Sequence, residues 1–290
     1  MFEKNKEFNE FKTIFYLNKR QKTIELTEVK DKQKIDIRYA LLEPYANAHI
    51  HWDNENNELV YEIEEPILDQ RETEVLGILE SGINELINIS FIAMKSTEVV
   101  IEYLEKNIRV LLDELRISIS KESFLKLMYY IYRDFVGLNE IEPLLKDYYI
   151  EDIECNGVNT PIYIVHRKYR NIRTNIIYKD TKKLTNFVEK LAQKCGKYIS
   201  YASPLLDAAL PDGSRLNASY TQDISSRGPS FCFADGYLQL NNGEVIKINE
   251  LFEKCKNDFG FSIENENEVV KVKNLKCCGV NENNLEQIDS

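Results

Sequence analysis

The chain changes hydrophobic period twice, and those changes outline its elements. Residues 39–50 and 58–64 place apolar side chains at every second position, on either side of the turn-like stretch 53–58. Such alternation predicts strands with one covered face, here a hairpin closed by Glu65-Pro66. Residues 69–90 then recur at helical spacing, with Val75, Ile78, Leu79, Ile83, Leu86 and Ile87 on one stripe. A second helix is predicted over 97–115, with Val99, Val100, Tyr103, Leu104, Ile108, Leu111 and Leu112 on a broad face. Ser120 is a good N-cap for a third, from Lys121 to about Phe135, which Gly137 stops. A short helix over 139–146 follows.

The period then returns to two. Residues 150–155, 162–166 and 173–178 read as strands, with turns at Asn156-Gly157 and 168–171. Thr181 caps a helix that runs to Lys194 and ends at Gly196. Residues 204–210 and 215–220 flank the turn 211–214 as another hairpin. Residues 232–252 predict two short strands around Asn241-Asn-Gly243, then a helix over 248–255. Residues 1–40 are polar, with a short helix or arm around 8–17. Beyond 262 the chain is rich in Asn and Glu, with one apolar run at 269–272. The fold class is therefore α+β, in three parts. Residues 1–96 form a helical and hairpin region, 97–231 a mixed α+β domain, and 232–290 a third, smaller part.

Composition sharpens this outline. A hydrophobic fraction of 43% and a charged fraction of 29% are globular values, which exclude disorder and collagen for the whole chain. The net charge of −11 gives no overall attraction to a phosphate backbone, so no nucleic-acid partner is expected. The opening MFEKNKEFNEFK is too charged for a signal peptide, and no apolar run approaches the roughly 20 residues a membrane span needs. A cytoplasmic location is expected. The six cysteines form no C-x-x-C pair, so neither a disulfide framework nor a zinc site is expected. Averages hide a break, however. All seven prolines and all three histidines precede residue 231, whereas the last 59 residues hold no Arg and four of the six cysteines.

Few residues offer chemistry by themselves. A phosphate-binding P-loop needs G-x-x-x-x-G-K-[ST], and the one Gly-Lys pair, Gly196-Lys197, has Leu191 in place of the first glycine and Tyr198 after it. Arg215, after the turn Asp212-Gly-Ser, and Arg227, in Ser226-Arg-Gly-Pro, are either phosphate contacts or solvated surface arginines. His49, His51 and His166 read as scattered structural histidines, and no metal site is expected. The vicinal Cys277-Cys278 reads as two ordinary thiols. The basic run 166–173 reads as a solvated hairpin tip.

Taken together, several short segments carry a resemblance. Leu42-Glu-Pro-Tyr-Ala46, Glu64-Glu-Pro-Ile-Leu68, residues 153–165, Arg173-Thr-Asn175, Ala202-Ser-Pro204, Leu210-Pro-Asp-Gly-Ser-Arg215 and Ser226-Arg-Gly-Pro-Ser-Phe231 stand in a recognisable order. Over nearly all of 40–231 the chain resembles the N-terminal domains of archaeal ATPases of the type II/type IV secretion superfamily, which power pilus, secretion and archaellum assembly. That resemblance implies a homo-hexamer peripheral to the cytoplasmic membrane, working on a polytopic membrane platform protein. It implies ATP and Mg²⁺ held between this half and a RecA-like half, with Arg215 and Arg227 approaching the phosphates. The Mg-binding residues and the general base would lie in the RecA-like half. The alternative is a non-catalytic module that docks on the platform without using nucleotide.

The resemblance breaks after Phe231. The continuation Cys232-Phe-Ala-Asp-Gly-Tyr-Leu, a Gly turn and Ile248-Asn-Glu-Leu-Phe252 resembles the first block of an intein, the start of an all-β Hint-like fold. That resemblance makes Cys232 the nucleophile and Phe231–Cys232 the scissile bond, since a thiol attacks a carbonyl best when partly ionised. No histidine follows His166, so the Thr-x-x-His and terminal His-Asn blocks that splicing needs are missing. The 290-residue chain, as the front of a longer protein, is expected neither to splice nor to hydrolyse ATP.

Overall fold

The computed structural model describes residues 14–17, 26, 31–86, 97–211, 213–220, 227–234, 237–239 and 245–247. The expected elements at 8–13, 241–243, 248–255 and 269–272 lie outside the described residues. The chain forms two compact units. One comprises Met1–Lys19, Leu42–Asn47 and Glu64–Pro143; the other comprises Arg20–Leu41, Ala48–Ile63 and Leu144–Ser290.

The first unit is built on three helices, α1 (Gln70–Leu86), α2 (Thr97–Glu114) and α3 (Lys121–Ile131). Helix α1 starts where Asp69 and Glu72 exchange bonds. The Glu72 N–H donates to Asp69 Oδ1 at 2.7 Å, and the Asp69 N–H donates to Glu72 Oε2 at 2.9 Å. This reciprocal cap satisfies two N–H groups that the helix leaves open. Ser120 caps α3 as its sequence predicts, accepting the Ser123 N–H at 3.0 Å. The buried stripes are Val75, Leu79 and Ile83 on α1, Val100, Leu104 and Ile108 on α2, and Phe124, Leu127, Met128 and Ile131 on α3. Ile78 and Val99, expected on these stripes, are exposed. Beyond α3 the chain tightens into a π-helical turn, Tyr132–Val136, and Gly137 ends it. The expected helix over 139–146 is two 3-10 turns, Asn139–Ile141 and Leu144–Lys146. Pro143 between them has no N–H for a continuous helix.

Two of the segments that carry the resemblance serve this unit. Glu65 accepts the Tyr129 hydroxyl at 2.5 Å and the Arg133 guanidinium at 2.8 and 2.9 Å, while the Pro66 carbonyl accepts the Tyr130 hydroxyl at 2.6 Å. Tyr45 stacks between Phe15 and Tyr129, at centroid distances of 5.2 and 5.3 Å.

The second unit is built on a mixed sheet. Its strands are β1 (Asp36–Leu42), β2 (Ala46–Asp53), β3 (Glu58–Glu64), β4 (Ile150–Cys155), β5 (Pro161–His166), β6 (Arg170–Ile177), β7 (Leu205–Ala209), β8 (Arg215–Ser219) and β9 (Ser230–Ala234). The sequence pattern runs β1 into β2, but the chain turns at Glu43-Pro44-Tyr45, where the Tyr45 N–H donates back to the Leu42 carbonyl at 2.7 Å. The strand order is β1-β2-β3-β6-β5-β4-β9-β8-β7. Thus the mixed α+β class expected from the sequence holds, with one large mixed sheet. Helix α4 (Thr181–Lys194) presents Leu184, Phe187, Val188 and Leu191 to the core. Asp180, one residue before the expected cap, accepts the Lys182 N–H at 2.8 Å and starts it. A separate hairpin of β10 (Tyr237–Gln239) and β11 (Val245–Lys247) pairs antiparallel, as expected for that stretch.

The sheet has one thin seam. Strands β3 and β6 run parallel and share two register pairs, Val60↔Arg173 and Tyr61↔Thr174. Side chains extend that ladder. Asn175 accepts the Ile63 N–H at 3.0 Å and donates to the Ile63 carbonyl at 3.1 Å, so its amide stands in for a strand. Asp147 Oδ2 accepts the hydroxyls of Tyr39 on β1 and Tyr61 on β3 at 2.6 and 2.7 Å, and its Oδ1 accepts the Tyr149 N–H at 2.9 Å. Arg173 pairs with Asp53 at 2.9 Å.

The run 166–173 is not the solvated tip its composition suggests. His166 and Tyr169 are buried, and Arg167 pairs with Glu151 at 3.0 Å and lies over the Tyr148 ring. His166 stacks between Tyr149 and Tyr169, and its Nδ1 accepts the N–H groups of Lys168 and Tyr169 at 3.2 and 3.3 Å. A proton on Nδ1 would face two donors in a dry site. Burial, with Arg167 and Lys168 nearby, accordingly pushes its pKa down to about 3. Among the described residues, no helix is long and apolar enough to cross a membrane.

Two outcomes follow for stability. Asn175→Ala leaves both Ile63 groups without their partner, and should lower unfolding stability by about 1–2 kcal/mol in urea melts. The unfolded chain binds a proton at His166 below pH 6.5, its ordinary value, and the folded chain does so only near 3. Stability is therefore flat above that interval and falls as pH drops through it. Thermal melts between pH 6.5 and 5 should show this slope, and His166→Phe, which keeps the stack, should flatten it.

Candidate functional site

The candidate site lies on the half of the sheet formed by β4, β9, β8 and β7. One face of these strands is covered, with Ile153, Phe231, Phe233, Leu216 and Leu206 buried. The other face is an open cleft of about 580 Å³. The register sets Glu154, Cys232, Asn217 and Asp207 in a single row across it, one from each strand. The period-two pattern thus does two jobs, filling the core with one set of side chains and furnishing the cleft with the other.

Arg215 stands on β8, with its side chain 66% exposed. Its guanidinium forks onto Asp207 of β7, Nε to Oδ1 at 3.2 Å and NH2 to Oδ2 at 3.0 Å. That pairing holds the Asp207 carboxyl below its usual range. An exposed fork of this kind contributes little to stability and exchanges readily for another anion. Arg227 is exposed in the turn before β9, and its backbone is tightly held. Its carbonyl accepts the Val158 N–H at 3.0 Å, and Gly157 packs against it at φ +104°. A Cβ on Gly157 would come within 2.4 Å of the Arg227 carbonyl oxygen, so this contact requires glycine. The motifs Asn156-Gly157 and Arg227-Gly228 therefore meet in one junction.

The two arginines do not meet. Arg215 pairs with Ala234 at one end of the β8–β9 ladder, while Ser219 pairs with Ser230, next to the Arg227 turn, at the other. Four residues of strand separate those ends by about 13 Å.

Cys232 sits inside β9, opposite Glu154 on β4 and Asn217 on β8, and half-buried. Burial raises its thiol pKa, and the charges of Asp152 and Glu154 raise it further. Cys155, on the covered side, is pushed up to about 11 by burial. The Phe231–Cys232 peptide lies in a strand paired on both sides, and the Phe231 ring packs against Phe187 and Phe233 at 5.4 and 5.6 Å.

The sequence reading missed one constellation. His49 and His51, read as scattered, lie two residues apart on β2, and so on one side of it. With Glu62 of β3 they present three candidate metal-ligand atoms, all within 4.8 Å of one another. The signal was His-x-His in an alternating strand.

No protein-family profile matches the chain. Among solved structures, the VirB11 ATPase from the Brucella suis type IV secretion system, in complex with sulphate, aligns at a TM-score of 0.30 and 16% identity, over 45% of this chain and 37% of that one. Three proteins of Methanocaldococcus jannaschii are similar in sequence, all uncharacterized. MJ0900 is 38% identical over 116 residues, 40% of this chain, and MJ0781 is 28% identical over 236 residues, 73% of it. This chain spans only 21% and 32% of their respective lengths. MJ1288 is 30% identical over 238 residues, which is 78% of this chain and 94% of MJ1288. At that coverage the chain belongs to the family of MJ1288.

Proposed function

We propose that this chain is the N-terminal, nucleotide-facing part of a secretion- or pilus-type ATPase. In the working hexamer, ATP and Mg²⁺ lie against its exposed arginines, and closure around them drives a polytopic platform protein at the cytoplasmic membrane. The observation that carries this reading is the Gly157–Arg227 junction, where two of the family-like motifs converge and display an arginine to solvent. A position that demands glycine and fixes an arginine backbone pre-organises a phosphate contact. Arg215 supplies the second contact once the anion replaces Asp207. The separation of the two suits an extended polyphosphate contacted at two points.

The segment from Cys232 onward we infer to be the start of an intein, supported by the hairpin of β10 and β11 directly after it. Within β9, however, Cys232 is a strand residue with a raised pKa. Acyl shift at Phe231 requires this bond to leave the sheet first. A second reading, a docking module that uses no nucleotide, is favoured by one feature. Tyr198, Tyr201 and Leu205 are 90%, 78% and 65% exposed, over a short stretch before and into β7.

Titration of the chain with Mg-ATP, followed through arginine Nε–H resonances, tests the nucleotide reading. Saturable shifts at Arg215 and Arg227 are expected, absent with adenosine, and weakened by a factor of roughly 5–10 in Arg227→Ala or Arg215→Ala. Binding that is unchanged in both variants, or absent at millimolar ATP, overturns it in favour of docking. For Cys232, incubation with dithiothreitol at pH 7 should release no fragment cut at Phe231–Cys232, and iodoacetamide should label this thiol more slowly than a free cysteine. Thiol-induced cleavage there, lost in Cys232→Ala, would show the bond already outside β9.

A further inference from the structure

The outer face of β1, β2 and β3 carries chemistry that nucleotide binding does not use. His49 and His51 stand on the middle strand, with Asp36 on one neighbour and Glu62 on the other. The two imidazole rings lie 4.4 Å apart, centroid to centroid. His51 Nδ1 is buried without a hydrogen-bond partner, an arrangement that costs free energy unless something fills it.

The tautomer of His49 follows from its neighbours. Arg38 can only donate, and its NH2 lies 3.3 Å from His49 Nδ1, so Nδ1 carries the lone pair. The proton is then on Nε2, which donates to Asp36 Oδ1 at 2.8 Å. Glu62 Oε2 lies 3.9 Å from the same Nδ1. A carboxylate that orients one imidazole nitrogen, while the other faces a second imidazole and a second carboxylate, is how proteins prepare a histidine to ligate a metal.

We propose that His49, His51 and Glu62 bind a divalent transition-metal cation of the zinc class, with Asp36 as the positioning residue for His49. Two imidazoles and a carboxylate suit Zn²⁺ and Co²⁺, and leave a coordination position for water. The bound ion clips β2 to β3. The single lone pair of His49 Nδ1 serves Arg38 or the metal, never both. Arg38 is exposed, and its charge opposes the incoming cation.

That competition supplies a test with opposite signs. The full chain is freed of metal with a chelator, and binding of Zn²⁺ is measured by calorimetry and of Co²⁺ by its visible absorption. One tight equivalent per chain is expected, weakened at least about tenfold by Glu62→Gln and by His51→Gln. Arg38→Ala should bind more tightly than the parent, an outcome that general damage to the fold does not produce. Zn²⁺ should also raise the melting temperature of the parent and not of Glu62→Gln. Tight binding unchanged by Glu62→Gln and His51→Gln overturns the site, as does a sulfur-to-cobalt charge-transfer band, which would assign the ion to cysteine. Weaker binding in Arg38→Ala overturns the competition on which the assignment rests.

Discussion

The parallel pairing of β3 with β6 is the constraint on which the second unit depends. Among the described residues it is the one strand pairing that joins β1–β3 to the strands from β4 onward. Two register pairs are few for a join of this span. The fold compensates with side chains that imitate backbone or cross the seam. Asn175 closes the ladder at Ile63, Arg173 reaches Asp53, and the Asp147 carboxylate gathers two tyrosines from β1 and β3. A buried carboxylate is tolerable here because donors on both oxygens replace water. Loss of one donor weakens the compensation of that charge, so these contacts support one another.

This sorts the segments that carry the resemblance by physical duty. Glu65-Pro66 and Tyr45 build the first unit, Arg173-Thr-Asn175 holds the seam, and the segments that end at Arg215 and hold Arg227 display exposed guanidinium groups. A segment that looks functional as a motif can be an architectural joint. The distinction rests on where side chains end. Asn175 ends on backbone, whereas Arg227 ends in solvent.

Much of this was legible in the sequence because periodicity reports burial directly. The strands 58–64 and 150–155 and the helices after Asp69 and Ser120 follow from spacing and capping chemistry alone. The break at Pro44 was less legible, since alternation continues through it and only the missing N–H betrays it. The parallel register was not legible at all, because nothing local in β3 names β6 as its neighbour. The same holds for the sites. Arg215 and Arg227 stand out as arginines beside glycine turns, but their separation appears only once β8 and β9 are paired. His49 and His51 were close in sequence, yet Glu62 joins them only through the hairpin.

The sharpest tension lies at residue 231, where composition changes and the backbone does not. Strand β9 runs through the change, with Phe231 and Phe233 buried at 3% and 1% exposure and Cys232 between them on the cleft side. The sheet tests a strand only for alternation and size, and Phe-Cys-Phe-Ala meets both demands. Any continuation with an apolar residue at 231 and 233 would close the gap between β4 and β8. Residues on either side of the composition change therefore share one strand. Pairing on both sides fixes the Phe231 carbonyl, and the acidic row at Asp152 and Glu154 disfavours the thiolate. The same pairing that sets Cys232 in the row with Glu154, Asn217 and Asp207 therefore also raises its thiol pKa, so the order of the cleft and the low thiolate character of this cysteine have one cause.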